Sequence, residues 1–129
     1  MFIVLLDEPS LFVFDSPEAA VQAIEPPDAE NEIRAAFSDD GVPYRVEWIR
    51  PNQHNALFGE VGVVQFGEYR FAPAGPPDIA ALIALLEDHP DYRPDFGDAL
   101  VELLRKLRAV AAIEYAAETQ RRREGNKDL

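Results

Sequence analysis

Residues 33–49 read IRAAFSDDGVPYRVEWI, and this stretch predicts two paired β-strands. Apolar and polar side chains alternate on both sides of a central Asp39-Asp40-Gly41, which is the period-2 pattern of a strand with one buried face. An Asp-Gly pair between two such runs is a strong hairpin signal, because glycine accepts the positive φ that a tight turn requires. We therefore expect an antiparallel hairpin with Trp48 facing the core.

The residues before this hairpin predict a second hairpin and a short helix. Residues 2–6 and 11–14 are short apolar runs separated by a turn-rich segment, which is typical of two paired strands. A helix over residues 17–25 follows, since Ser16 is suited to cap its free amides and proline is favoured at the first helical position. We expect the next two residues, a proline pair, to end this helix.

The residues after the central hairpin predict more strand. Residues 51–56 are polar and rich in turn-forming types, so we expect an exposed loop there. Residues 59–66 return to a β-rich composition, and Gly67 is expected to turn the chain into a further strand over residues 69–72.

The C-terminal part predicts two helices, over residues 78–88 and 96–123. The first has a run of eight apolar residues and must be covered on more than one side. An inward stripe on the second helix supplies one cover and consists of Leu100, Leu103, Leu104, Leu107, Val110 and Ala111. We predict a single α+β domain over residues 1–124 with a frayed tail over 125–129. Its antiparallel sheet of about five to six strands lies in the N-terminal half with one short helix, followed by the two packed C-terminal helices.

Charge is strongly divided along the chain. The net charge is −12, and residues 1–100 hold 19 acidic side chains against five arginines, whereas the remaining residues hold five acidic and seven basic ones. A field of this sign repels nucleic acid and anionic lipid and favours encounter with a basic partner. No apolar run approaches the roughly 20 residues of a membrane span. We therefore predict neither nucleic-acid nor membrane binding.

The residue inventory argues against most catalytic chemistry. The chain has no cysteine, which excludes disulfides and thiol catalysis and fits a reducing compartment, so we expect the cytoplasm. It has two histidines. It contains neither a nucleophile-elbow motif nor a glycine-rich phosphate loop. The segment 87–98 gathers carboxylates around His89, but their spacing does not match a calcium loop. We predict no enzyme activity, no cofactor and no metal; an enzyme using a carboxylate pair or metal near His89 is the alternative.

One resemblance adds to this interpretation. The β-rich opening, the sequence FDSPE at residues 14–18, AFSDDG at 36–41 and YRVEW at 44–48 together resemble small acidic bacterial immunity proteins. These proteins belong to the polymorphic toxin systems of contact-dependent and type VI secretion. The resemblance covers residues 1–75 and implies a cytoplasmic protein that binds one cognate toxin and blocks its active site. It assigns no individual residue.

The favoured function is therefore a non-catalytic immunity protein or inhibitor whose acidic surface blocks the basic cleft of a protein toxin. The partner-binding candidates are residues in the hairpin turn, the 51–58 segment and the 87–98 segment: Asp39, Asp40, His54, Asn55, Phe58, Asp88, Asp91 and Asp95. The alternative function is a structural or adaptor protein that forms a homodimer through its C-terminal helices.

Overall fold

The computed structural model describes residues 1–7, 10–57, 60–89 and 94–127. In this part of the chain, seven strands and four helices follow one another as β1 (Phe2–Leu6), β2 (Leu11–Phe14), α1 (Pro17–Ala23), α2 (Pro26–Asn31), β3 (Ile33–Ser38), β4 (Pro43–Arg50), β5 (Gln53–Leu57), β6 (Glu60–Gln65), β7 (Glu68–Pro73), α3 (Ile79–Asp88) and α4 (Pro94–Lys127). None of these helices, as described, is long and apolar enough to cross a membrane.

Five strands form one antiparallel sheet in the order β2-β1-β3-β4-β7. The two predicted hairpins are confirmed, since β1 pairs with β2, and β3 pairs with β4 through Phe37 opposite Pro43. Gly41 has the positive φ, 88°, that its turn requires. The predicted α+β class with an antiparallel sheet in the N-terminal half is therefore confirmed.

The sheet has a separate core on each face. Phe2 and Val4 pack with α1, α2 and the aromatic residues of β7, and Trp48 is half-buried against this first core. Ile3, the residue between them, faces the other side and packs with α3 and α4. Because side chains of a strand alternate between the two faces, β1 contributes to both cores. The inward orientation predicted for Trp48 is confirmed.

The two C-terminal helices pack together as predicted. Leu82 and Leu86 of α3 are fully buried, as is Leu100 of α4, and all three belong to the second core. The sheet therefore covers one side of α3 and α4 covers another. Helix α4 continues to Lys127, past its predicted end at Arg123.

The expectation of one short helix before β3 is wrong, because a second one, α2, follows directly. Ser16 accepts a hydrogen bond from the Ala19 amide at 3.1 Å and caps α1 as predicted, but the proline pair begins α2 as well as ending α1. Prolines fit the first turn of a helix because the amides of that turn have no partner within the helix.

The expected loop over residues 51–56 is also wrong, since Gln53–Leu57 is a strand. β5 pairs with β6 as a separate two-stranded ladder, the β5–β6 hairpin, between the ends of β4 and β7. The turn expected at Gly67 does not pair β6 with β7; instead β7 pairs with β4. The pairing of β4 with β7 ends before Asn52 and Gly67, and the β5–β6 hairpin begins after them. The polar residues of β5 therefore form a strand because they pair with β6, although their composition favours a loop.

Candidate functional site

The β3–β4 turn holds its two adjacent carboxylates in a defined position. The Ser38 hydroxyl donates to the Asp40 carboxylate and accepts a hydrogen bond from the Val42 amide at 3.2 Å. The Asp39 amide donates to the Met1 carbonyl at 3.1 Å, which fixes the turn against the start of β1. Asp39 and Asp40 are both exposed, so the turn presents negative charge to solvent.

Gly41 fixes the same turn against the start of α3. Its carbonyl accepts a hydrogen bond from the Asp78 amide at 2.8 Å, and the Asp78 carboxylate caps α3 by accepting from the Ala81 amide at 3.0 Å. A Cβ on Gly41 would lie 3.2 Å from the Ile79 backbone nitrogen, so the close approach needs glycine as well as its positive φ. The acidic turn is therefore attached to both the sheet and the helical layer.

An apolar groove of about 410 Å³ opens between this turn and α4. Its apolar lining includes Ile79, Leu103, Leu107 and Val110. Carboxylates of the turn and of Glu102 stand around it, and its described lining contains no histidine, serine or tyrosine. A groove with apolar walls and a few charged groups at its margin is suited to binding.

The carboxylates on the two sides of the groove differ in whether a basic side chain pairs with them. On α4, the Arg105 guanidinium donates to the Glu102 carboxylate at 2.6 Å and lowers the pKa of Glu102 through this hydrogen bond and its positive charge. Asp39 lies 3.4 Å from the terminal amino group, and within the described residues neither Asp39 nor Asp40 pairs with a lysine or arginine side chain. Among the described carboxylates that line the groove, Asp40 is therefore the one without a cationic partner, and Asp39 is paired with the terminal amino group alone.

Within the groove and beyond it, α4 carries exposed apolar side chains. Val110 is 41% exposed and Ile113 69% exposed. With the exposed Ala117 and with Leu103, which is buried in the second core, they recur at three- and four-residue spacing, and Lys106 occupies the remaining position of this series. We call Leu103, Val110, Ile113 and Ala117 the outer stripe. Leu103 and Val110 were both expected in the inward stripe that covers α3. This expectation is confirmed for Leu103, which is buried in the second core, and is wrong for Val110, which lies at the surface.

A scan against protein-family models, a search of curated proteins and a search of solved structures each found no match to this chain. Function must therefore be inferred from the chain's own surface.

The predicted residues of the β5–β6 hairpin lie away from the groove. His54 Nε2 is 2.9 Å from a carboxylate oxygen of Glu30 on α2, which packs on the other face of the sheet, and Asn55 is exposed. Asn52, a residue the sequence analysis did not single out, is buried at the base of the hairpin. Its side chain donates to the Pro26 carbonyl at 2.9 Å and accepts from the Gly67 amide at 2.8 Å.

No described residue of the acidic 87–98 segment lines the groove. Asp88 is exposed at the last residue of α3, whereas the groove lies beside the first residue of that helix. His89 Nδ1 is 2.9 Å from the Leu85 carbonyl at the same helix end. Phe58 and Asp91 lie outside the described residues, as does the side chain of Asp95. Within the described ranges, no group of three histidine or acidic side chains is placed to hold a metal.

The structure thus brings together two of the predicted residues, Asp39 and Asp40, beside an apolar groove. It places His54, Asn55 and Asp88 elsewhere on the surface. The sequence predicted the charged part of this site, but it placed Val110 in a buried stripe and did not indicate the exposed Ile113.

Proposed function

We propose that this chain is a non-catalytic protein that binds a basic partner protein at the groove beside the β3–β4 turn. The observation that carries the proposal is the position of the Asp39 and Asp40 carboxylates, exposed and next to an apolar groove. Carboxylates at the margin of an apolar surface steer a basic partner and set its orientation, while the apolar surface supplies binding energy. The chain's net charge of −12 favours the same partner.

The partner that we favour is a bacterial protein toxin, with this chain acting as its cognate immunity protein in the cytoplasm. The resemblance of residues 1–75 to immunity proteins supports this class, and an acidic chain is suited to fill a basic active-site cleft. No metal or cofactor enters the proposal. Inhibition would follow from covering the toxin's cleft, without any reaction on this chain.

A second candidate is a homodimer formed through α4. The exposed Val110 and Ile113 favour it, because apolar residues on an uncovered helix face are typical of interfaces. The net charge opposes it, since two copies of a chain with a charge of −12 repel each other. We therefore rank binding to a basic partner first.

The experiment is affinity capture from the native cell extract at low and high salt, followed by an activity assay of the captured protein. We expect a stoichiometric partner whose activity is blocked by the purified chain. The double variant Asp39→Lys/Asp40→Lys should associate at least about tenfold more slowly at low salt, with less difference at high salt, because exposed charges are screened within about 8 Å at physiological ionic strength.

The matched control is Glu25→Lys/Glu32→Lys, which makes the same change in charge at the N-cap and C-cap residues of α2, on the other face of the sheet. It should lower the association rate much less. An equal loss in both variants would place the effect in overall charge and contradict a site at the turn. Recovery of a captured partner whose activity is unchanged by the chain would contradict inhibition.

A further inference from the structure

We infer that the groove and the outer stripe form one continuous surface for an amphipathic helix of the partner, with basic residues along one flank of that helix. This inference rests on the proposed function and adds to it the secondary structure and side-chain pattern of the partner. A helix that lays its apolar face into a groove is a recurring form of protein recognition.

The spacing of the outer stripe fits this occupant. Leu103 lines the groove, and Val110 also lines it, while Ile113 and Ala117 continue the stripe along α4 beyond it. At about 1.5 Å per residue, the stripe from Leu103 to Ala117 is about 21 Å long, which is about four helical turns. Apolar residues alternating at three and four positions form the seam against which a second helix packs.

The charge around the stripe places the partner's basic residues on one flank only. The Glu102 carboxylate is occupied by Arg105 at 2.6 Å, and Lys106 stands within the stripe itself. The carboxylates of Asp39 and Asp40 are on the opposite side of the groove. Asp39 forms an ion pair of 3.4 Å with the terminal amino group, and in the described part of the chain neither carboxylate pairs with a lysine or arginine side chain. Arginines or lysines on the turn-facing flank are therefore favoured, and on the Lys106 side they are not.

A second copy of this chain fits the surface less well. Its own α4 carries an apolar stripe, but the second copy as a whole adds a further charge of −12, which includes the same two carboxylates of the turn. Like charges that meet across an interface oppose association. An oppositely charged helix avoids this cost.

The test uses a synthetic helical peptide of about 18 residues, long enough to span the stripe at about 1.5 Å per residue. It carries leucines at three- and four-residue spacing and arginines along one flank. Two comparison peptides replace the arginines by glutamates or the leucines by serines. Fluorescence anisotropy measures binding to the full chain and to its variants. We expect the first peptide to bind at least about tenfold more tightly than either comparison peptide.

Two variants and a control separate the apolar and charged contributions. Val110→Ser/Ile113→Ser should weaken binding about tenfold, because both side chains would be buried by the peptide. Asp39→Asn/Asp40→Asn should weaken it about tenfold at low salt and less at high salt. Val101→Ser is the matched control: Val101 is 61% exposed and lies nine residues before Val110, on the opposite side of a helix with 3.6 residues per turn. It should change binding by less than about twofold.

Several outcomes would overturn the inference. One is tight binding that the Val110 and Ile113 substitutions leave unchanged, with folding verified by circular dichroism. Another is equal binding of the arginine and glutamate peptides. A dimer of the chain alone, dissociated by Val110→Ser/Ile113→Ser, would assign the stripe to a second copy. If the captured partner depends on Asp39 and Asp40 but not on the stripe, this inference fails while the proposed function stands.

Discussion

Replacing Asn52 by alanine should release the base of the β5–β6 hairpin. Asn52 is only 6% exposed, and its side chain joins two elements by donating to the Pro26 carbonyl at 2.9 Å and accepting from the Gly67 amide at 2.8 Å. Each hydrogen bond contributes about 1 kcal/mol net, and leaving a buried partner unsatisfied adds to the cost. We expect the free energy of unfolding to fall by about 2–3 kcal/mol, which corresponds to a melting temperature lower by about 10 °C.

Urea unfolding followed by Trp48 fluorescence measures this loss, since Trp48 lies near the end of β4 and packs against the first core. The matched control is Asn55→Ala, which removes the same amide from an exposed position on the same hairpin and should change stability by less than about 0.5 kcal/mol. A loss below about 0.5 kcal/mol for Asn52→Ala would refute the reasoning, because it would mean that water replaces both hydrogen bonds without cost.

Three further predictions concern the same scaffold. Gly67→Ala should destabilise the fold by about 2–3 kcal/mol in urea unfolding, since the new Cβ would lie 2.7 Å from the Asn52 backbone nitrogen, and a loss near zero would contradict this contact. Ser16→Ala should remove the α1 cap and cost about 1 kcal/mol by the same measurement, whereas Ser16→Asp should largely retain it. Burial, with a smaller contribution from Asp28, raises the pKa of Tyr69 to about 12, so the folded protein retains a proton that the unfolded chain loses near pH 10. Stability present below pH 10 should therefore be lost as the pH rises towards 12, and Tyr69→Phe should remove this part of the alkaline loss.

The parts of the fold that the sequence predicted are those set by local signals. The hairpin around Gly41 follows from an Asp-Gly pair between alternating runs, and α3 follows from an apolar run after Asp78. β5 could not be predicted in this way, because its polar residues become a strand by pairing with β6. The proline pair after α1 has two valid interpretations, as the end of one helix and as the start of the next, and only packing of Ala29 in the first core selects the second.

The candidate site also has one part that local sequence signals predict and one part that they do not. Asp39 and Asp40 were identified from sequence because a tight turn exposes its central residues whatever the rest of the fold does. The outer stripe was not recognised because Val110 also has the helical spacing of the inward stripe through Leu100 and Leu103, and sequence does not say where the cover from the sheet and α3 ends. Only the three-dimensional position of α4 shows that Val110 is left at the surface.

The alternation of β1 has a consequence for how the molecule unfolds. Phe2 and Val4 belong to the core under α1 and α2, and Ile3 belongs to the core under α3 and α4. If one layer of helices detached alone, it would expose one face of β1 to water. The same strand would still have to hold the other layer through its opposite face. The two cores should therefore be lost in a single cooperative transition. Tryptophan fluorescence, which reports the first core, and helical circular dichroism, which is dominated by α3 and α4, should change at the same denaturant concentration.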